Sequence, residues 1–203
     1  DRYVTPLTTL VHHLRKLGLG DIEARELVHT TFDIDSTVKL GNFDHFEEAR
    51  KGSTTADNVL VAISDIQGIG ESLMQLLAGA ADQPLAEELN RAVLTEAVYG
   101  AIAAGLVESR FDATNVDKLV SVVRTAVQLV KEIDDRFGLE FSIDDNLIAR
   151  VETGVAQILS AIAVRIRQLS DSASQSHEFI TVVNQSKKFA QAVVAPSLHD
   201  VGQ

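Results

Sequence analysis

SIDDNLIARVETGVAQILSAIAVRIRQLS, residues 142–170, places Ile148, Val151, Val155, Ile158, Ile162, Ile166 and Leu169 three or four positions apart, the spacing that lines one face of an α-helix. Ser142 and Asp145 stand three apart just ahead of the run and form a capping box. A stripe of that length is stable only when covered, so at least two neighbouring elements must pack on it.

Working upstream, DATNVDKLVSVVRTAVQLVKEIDDRFG (112–138) starts from a cap at Asp112 or Thr114. It carries Val116, Leu119, Val120, Val123, Val127 and Val130 on one side and stops at Gly138. Its β-branched residues would suit a strand, but the period and the length favour a helix. ADQPLAEELNRAVLTEAVYGAIAAG (81–105) has Asp82 or Gln83 at a cap and Pro84 at the first helical position. After Ala92 it is apolar around much of its circumference, which predicts a place near the bundle centre. From Ser53, residues Val59, Ile63, Ile66, Leu73 and Leu77 keep a helical period to Ala78. Gly68 and Gly70 interrupt that run at ~1 kcal/mol each relative to alanine, a cost that close packing would explain.

At the N-terminus Thr5 caps, Pro6 opens a helix, Leu7, Leu10, Val11, Leu14 and Leu17 repeat on one side, and Gly18 ends it. A shorter helix follows from a cap at Asp21 through Ile22, Leu27 and Val28 to Phe32, then a polar loop (33–52) with helical turns near Phe43–Arg50 that closes at Gly52. Beyond SDSASQS (170–176), Phe179, Ile180, Val183, Phe189, Ala190 and Val193 predict a last helix ended by Pro196. No set of strands emerges. The expected fold is all-α, a bundle of six to seven mostly antiparallel helices. Residues 1–203 form a single domain, with 1–52 as an N-terminal helical cap and loop, 53–195 as the main bundle and 196–203 as a linker.

Composition agrees with that fold and restricts function. Of the 203 residues 45% are hydrophobic but only 5% aromatic, with no tryptophan, so the core must be built from Val, Ile, Leu and Ala. A net charge of −11 opposes nucleic-acid binding, which needs clustered Lys and Arg. The absence of cysteine removes disulfides and thiolate metal sites. No run approaches the roughly 18 uninterrupted apolar residues of a membrane span.

VTPLTTLV (Val4–Val11), the loop DSTVKLGNFD (Asp35–Asp44) and the long segment NVLVAISDIQGIGESLMQLLAGA (58–80) together resemble an all-helical domain of very large secreted bacterial surface proteins. These are adhesin-like chains in which calcium-binding β-sandwich or RTX-type repeats stand beside the helical domain. The resemblance implies a non-enzymatic structural or adhesive module at the bacterial cell surface, with no catalytic residues to carry over. Its partners would be neighbouring domains of the same long chain, or further copies in a homo-oligomer or surface assembly. It also implies that the Thr5–Leu10 helix follows directly on the last strand of a preceding module. His12 and His13 depart from the ordinary helix-surface residues expected there.

Several constellations imitate chemistry. Glu26 and His29 have the Glu-x-x-His spacing of ferritin-like metal sites, but those need a second copy and further glutamates. Asp33, Asp35 and Thr37, with Asp44 twelfth, follow calcium-loop spacing, yet Val38 replaces the turn glycine and Asp44 the longer glutamate. Asp44 reads better as a helix cap, and Asp33 and Asp35 as turn formers. Asp134, Asp135, Asp144 and Asp145 flank one short loop that a cation would bridge if it folded tightly, but the better reading places Asp144 and Asp145 at an acidic helix start and leaves the first pair solvated. Calcium at these acids is therefore the one cofactor to test. His12 and His13, adjacent on a helix, cannot face one ligand, so one should lie at the core edge. No nucleophile elbow or phosphate loop is present: Gly68–Gly70 lies inside a helix and lacks the lysine. The rival to a structural module is a carrier that encloses a lipid or pigment between its Val/Ala helices.

Overall fold

The computed structural model describes residues 4–80, 87–108, 111–139 and 143–172. The expected last helix (179–193), the linker, the cap at 82–84 and Ser142 lie outside them. Seven helices are present among the described residues: α1 Pro6–Lys16, α2 Asp21–Thr31, α3 His45–Arg50, α4 Thr54–Gly79, α5 Glu87–Val107, α6 Val116–Phe137 and α7 Asp145–Ser172. The fold is all-α, as expected.

Local chemistry accounts for most of the boundaries. The Thr5 hydroxyl accepts the Thr8 N–H at 3.2 Å while the Thr8 hydroxyl accepts the Thr5 N–H at 2.8 Å, a reciprocal cap ahead of Pro6. Ser53 caps α4 and Asp44 caps α3. Gly18 at φ 101° and Gly138 at φ 60° take left-handed backbone where α1 and α6 end. Two caps differ from expectation. Gly20, not Asp21, precedes α2, leaving Asp21 in the first turn where it pairs with Arg25 at 2.9 Å. Asn115, not Asp112 or Thr114, caps α6, because Asp112 is already engaged by the Thr114 N–H and hydroxyl in a turn one step earlier.

Cross-helix contacts fix the topology. Met74 meets Thr95 and Gly70 meets Tyr99, so α4 and α5 run antiparallel. Gly105 faces Val122 and Gly100 faces Leu129, which sets α6 antiparallel to α5. Arg124 pairs with Glu152 and Lys131 with Asp145, reversing the chain again into α7. Asp65 lies near Arg167, and the Asp144 N–H donates to the Ala80 carbonyl at 2.9 Å, closing α7 back on α4. The result is an up-down-up-down four-helix bundle of α4 to α7. α1 packs antiparallel to α5, with Lys16 on Glu96, and carries Leu7, Leu10 and Leu14 fully into the same apolar core.

α5 is central, as its apolar circumference predicts: Ala97, Val98, Ala101, Ile102 and Ala103 are all buried. Small residues let its neighbours close on it, and a Cβ on Gly100 would sit 3.1 Å from Leu129 Cδ1. Of the two α4 glycines, Gly70 faces the Tyr99 ring at 3.7 Å, whereas Gly68 has open space around it. The α7 stripe is rotated from its expected position. Ile148 and Val155 are buried, but Leu159 is buried where Ile158 is only half-buried, and Glu152, Ala156, Ser160 and Ala163 complete the inner face. Two polar residues can lie inside because each has a partner: Glu152 takes Arg124, and the Ser160 hydroxyl donates to the Thr114 carbonyl at 2.5 Å. The side chains of Val151, Ile162, Ile166 and Leu169 lie outside the described set.

Candidate functional site

The acidic residues are best followed one by one. Asp33 sits at φ 51°, and its carbonyl accepts Asn58 Nδ2 at 2.9 Å. Asp35 Oδ1 accepts the Thr37 N–H at 2.8 Å and its hydroxyl at 2.7 Å, which holds the carboxyl below its usual range. Asp44 Oδ1 accepts the Glu47 N–H at 3.0 Å. Asp134 receives the Gly138 N–H on its carbonyl, and Asp135 is exposed. Asp144 Oδ1 accepts the Asn146 N–H at 2.9 Å, and Asp145 pairs with Lys131. Turn, cap and ion-pair chemistry thus occupies Asp35, Asp44, Asp144 and Asp145. Among the described residues no group of three or more His, Asp or Glu converges as a metal ligand set. Glu26 is exposed while His29 is buried, its pKa lowered by that burial. Chelation of divalent cations is expected to leave the melting temperature within a few degrees. A fall of about 10 °C, lost in Asp33→Asn/Asp35→Asn, would make the loop a true site.

The histidine pair separates as helix geometry requires. His12 is exposed, and His13 is 5% exposed, with its ring stacked on Tyr99 at 6.1 Å. Burial lowers the His13 pKa against the opposing pull of Glu96, whose Oε1 lies 3.9 Å from Nδ1.

His13 forms part of the floor of the largest concavity described, a cleft of about 830 Å³ between α1, α5 and α6. Its base is a row on α5 at four-residue spacing, Ala92, Glu96, Gly100 and Ala104, and its walls are Leu17 just past the end of α1 with Leu129, Ile133 and Phe137 from α6. The short side chains of Ala92, Gly100 and Ala104 leave a furrow in which Glu96 is the one long member of the row, and longer side chains from the flanking helices line it without filling it. Charge gathers at one end. There Lys16 holds Glu96 at 2.8 Å, Glu132 accepts Gln128 Nε2 at 3.2 Å, and Arg136 lies over the Phe137 ring at 5.5 Å with no carboxylate in ion-pair range among the described residues. The other end, at Ala104, Thr125 and Leu129, carries no charge. Leu17 and Phe137 stay 50% and 64% exposed on the rim.

A second, polar concavity of about 300 Å³ opens between the α2–α3 loop, α4 and α7. Asp65 lies in it with a side chain 1% exposed, its Oδ2 3.6 Å from Arg167 Nη2. Desolvation pushes this carboxyl up to about 7 despite the guanidinium, and Asp112 adds to the rise. Neither concavity was anticipated. The signals were present as the small-residue row 92–104 and as a lone acid inside the apolar run Val59–Ile66, but each has an innocent reading until the neighbours are placed. No helix among the described residues is long and apolar enough to cross a membrane. No family model matches the chain, and neither does any curated protein or solved structure among those compared.

Proposed function

We propose that this chain is a non-catalytic interaction module of a secreted bacterial surface protein, and that its cleft takes an elongated amphiphile with an apolar tail and an anionic head. The observation that supports this reading is the polarity of the α1–α5–α6 cleft, uncharged from Ala104 to Leu129 and charged at its open end, where Arg136 stands beside Glu132 and the Lys16–Glu96 pair with no ion-pair partner among the described residues. Its volume falls in the ~300–1,000 Å³ range of small-molecule sites, which are likewise mostly apolar with a few placed polar groups. Each methylene drawn from water into such a furrow contributes ~0.8 kcal/mol, so a tail supplies the affinity and Arg136 the orientation. The extracellular setting, and neighbouring modules or further copies as partners, follow from the likeness of Val4–Val11 and Leu40–Asp44 to surface-protein domains.

The fluorescent polyene acid cis-parinaric acid is the test probe, alongside mass analysis of the native protein for a co-purified guest. The acid should bind with an affinity in the low micromolar range, ~8 kcal/mol. Ala104→Phe, which fills the uncharged end, should weaken it by about tenfold or more, and Arg136→Gln should weaken the acid but not the matching alcohol. Probe binding indifferent to Ala104→Phe in a variant of unchanged helicity would remove the cleft as the site.

A further inference from the structure

The polar pocket beside Asp65 differs in chemistry from the cleft and lies across the bundle from it, on the α4–α7 side. It combines a half-exposed guanidinium with an oxygen that lacks a partner: Asp65 Oδ1 is fully buried and, like Asp57 Oδ1, Gln75 Oε1 and His29 Nε2, has no hydrogen-bond partner among the described residues. Such an atom is costly to bury, and native structures rarely leave one unless something else arrives to satisfy it. The surroundings narrow what that is. Arg167 stands 3.6 Å from the other carboxylate oxygen with its side chain 47% exposed toward solvent. Asn58 lines the same wall, and one of its amide hydrogens holds the Asp33 carbonyl. That bond keeps Asp33 at the rim in left-handed backbone, φ 51°, a conformation costly for a residue other than glycine. Phe32, Val61 and Ala62 supply an apolar side.

A simple cation would meet Arg167, and a simple anion would meet Asp65. A neutral polyol would leave the Asp65–Arg167 pair intact but bring no charge to either of its free sides. One class of small molecule answers both: an ammonium and a carboxylate on one carbon, laid antiparallel to the Asp65–Arg167 pair. We infer that the pocket formed by Asp65, Arg167 and Asn58 binds a free α-amino acid, with its ammonium on the Asp65 carboxylate once that buried side chain turns toward the pocket, its carboxylate on Arg167 and a small apolar side chain against Phe32 and Val61. The volume of about 300 Å³ suits a molecule of that size.

Affinity should depend on pH, because an ammonium needs Asp65 ionised. Burial holds this carboxyl near 7. The charged groups facing it are Arg167 from α7, Asp112 from the α5–α6 loop and Asp33 from the rim of the α2–α3 loop. Of these only Arg167 favours ionisation, and the ligand's ammonium would be the second group to do so.

Titration calorimetry with L-valine and glycine tests this, with L-valinamide, which lacks the carboxylate, and isovalerate, which lacks the ammonium, as controls. At least one of the two amino acids should bind, with both controls weaker by about tenfold or more. Its affinity should rise about tenfold from about pH 6 to about pH 8, following the ionised fraction of the acid. Asp65→Asn and Arg167→Gln should each abolish the heat; the second alters a half-exposed side chain, so it reports on binding even if the first disturbs folding. No heat from either amino acid at ~10 mM, a concentration that would reveal even millimolar binding, overturns the inference. Equal binding of valinamide or isovalerate overturns it too, as does a D-glucose signal that disappears in Arg167→Gln.

Discussion

Leu159→Ala is expected to destabilise the protein by about 2–5 kcal/mol and Ile158→Ala by about 1 kcal/mol, although the two residues are adjacent and the second is the one a simple hydrophobic stripe selects. Leu159 is 3% exposed on the inner face of α7, beside Ala156 and Ala163, and these small neighbours cannot swing in to fill a void. Ile158 is half-buried at the edge of that face, so truncation exposes less and leaves no closed cavity. For a chain of this size each kcal/mol moves the melting temperature by ~2–4 °C, which separates the two variants clearly in a calorimeter. Equal losses at both positions would place the inner face of α7 on Ile158 and undo the rotation described above.

That rotation shows why some features could be read from the chain and others could not. Starts and stops follow from residue chemistry within a turn, so Thr5–Pro6, Ser53, Gly18 and Gly138 identify helix ends without any tertiary information. The inner face of a helix is a tertiary property. A hydrophobic pattern assigns Glu152 and Ser160 to the outside, and only Arg124 and the Thr114 carbonyl, 28 and 46 residues away, make their burial tolerable. The same holds for the α6 start, where Asp112, Thr114 and Asn115 all have capping chemistry and the turn between the first two decides which one caps.

Carboxylate spacing is less informative than its periodicity suggests. Asp33, Asp35 and Asp44 reproduce the intervals of a calcium loop, yet Asp35 and Asp44 turn inward to N–H groups of their own segment, as short acidic side chains readily do. The cleft depends instead on the absence of bulk along one α5 row, and absence carries no pattern of its own until α1 and α6 flank it. Asp65 has the opposite character. An acid between Ser64 and Ile66 in a core helix contradicts its local context, and such contradictions mark either a partner elsewhere or a task.

Asp65→Asn is expected to stabilise the protein, and to do so increasingly as pH rises. In the unfolded chain this carboxyl titrates near its ordinary value of 3.8, whereas burial raises it to about 7 in the folded state. Between those values the folded protein binds a proton that the unfolded chain does not, so its contribution to stability is fully present below about pH 4 and is lost as pH climbs through 7. At ~1.4 kcal/mol per unit the loss approaches about 4 kcal/mol. Asparagine cannot ionise and avoids it, but brings a buried amide that costs ~1–3 kcal/mol if unpaired, so the net gain near pH 8 should be about 1–3 kcal/mol. Near pH 4 the sign should reverse or vanish. His13, His29 and His45 complicate the wild-type curve, since burial lowers each of them and they destabilise the fold as pH falls below about 6.5. They are common to both proteins and cancel in the difference between variant and wild type. Denaturation at several pH values therefore isolates Asp65. A difference that stays flat from about pH 4 to about pH 8 would mean that Arg167 holds the carboxylate ionised throughout, making the pair an ordinary buried salt bridge.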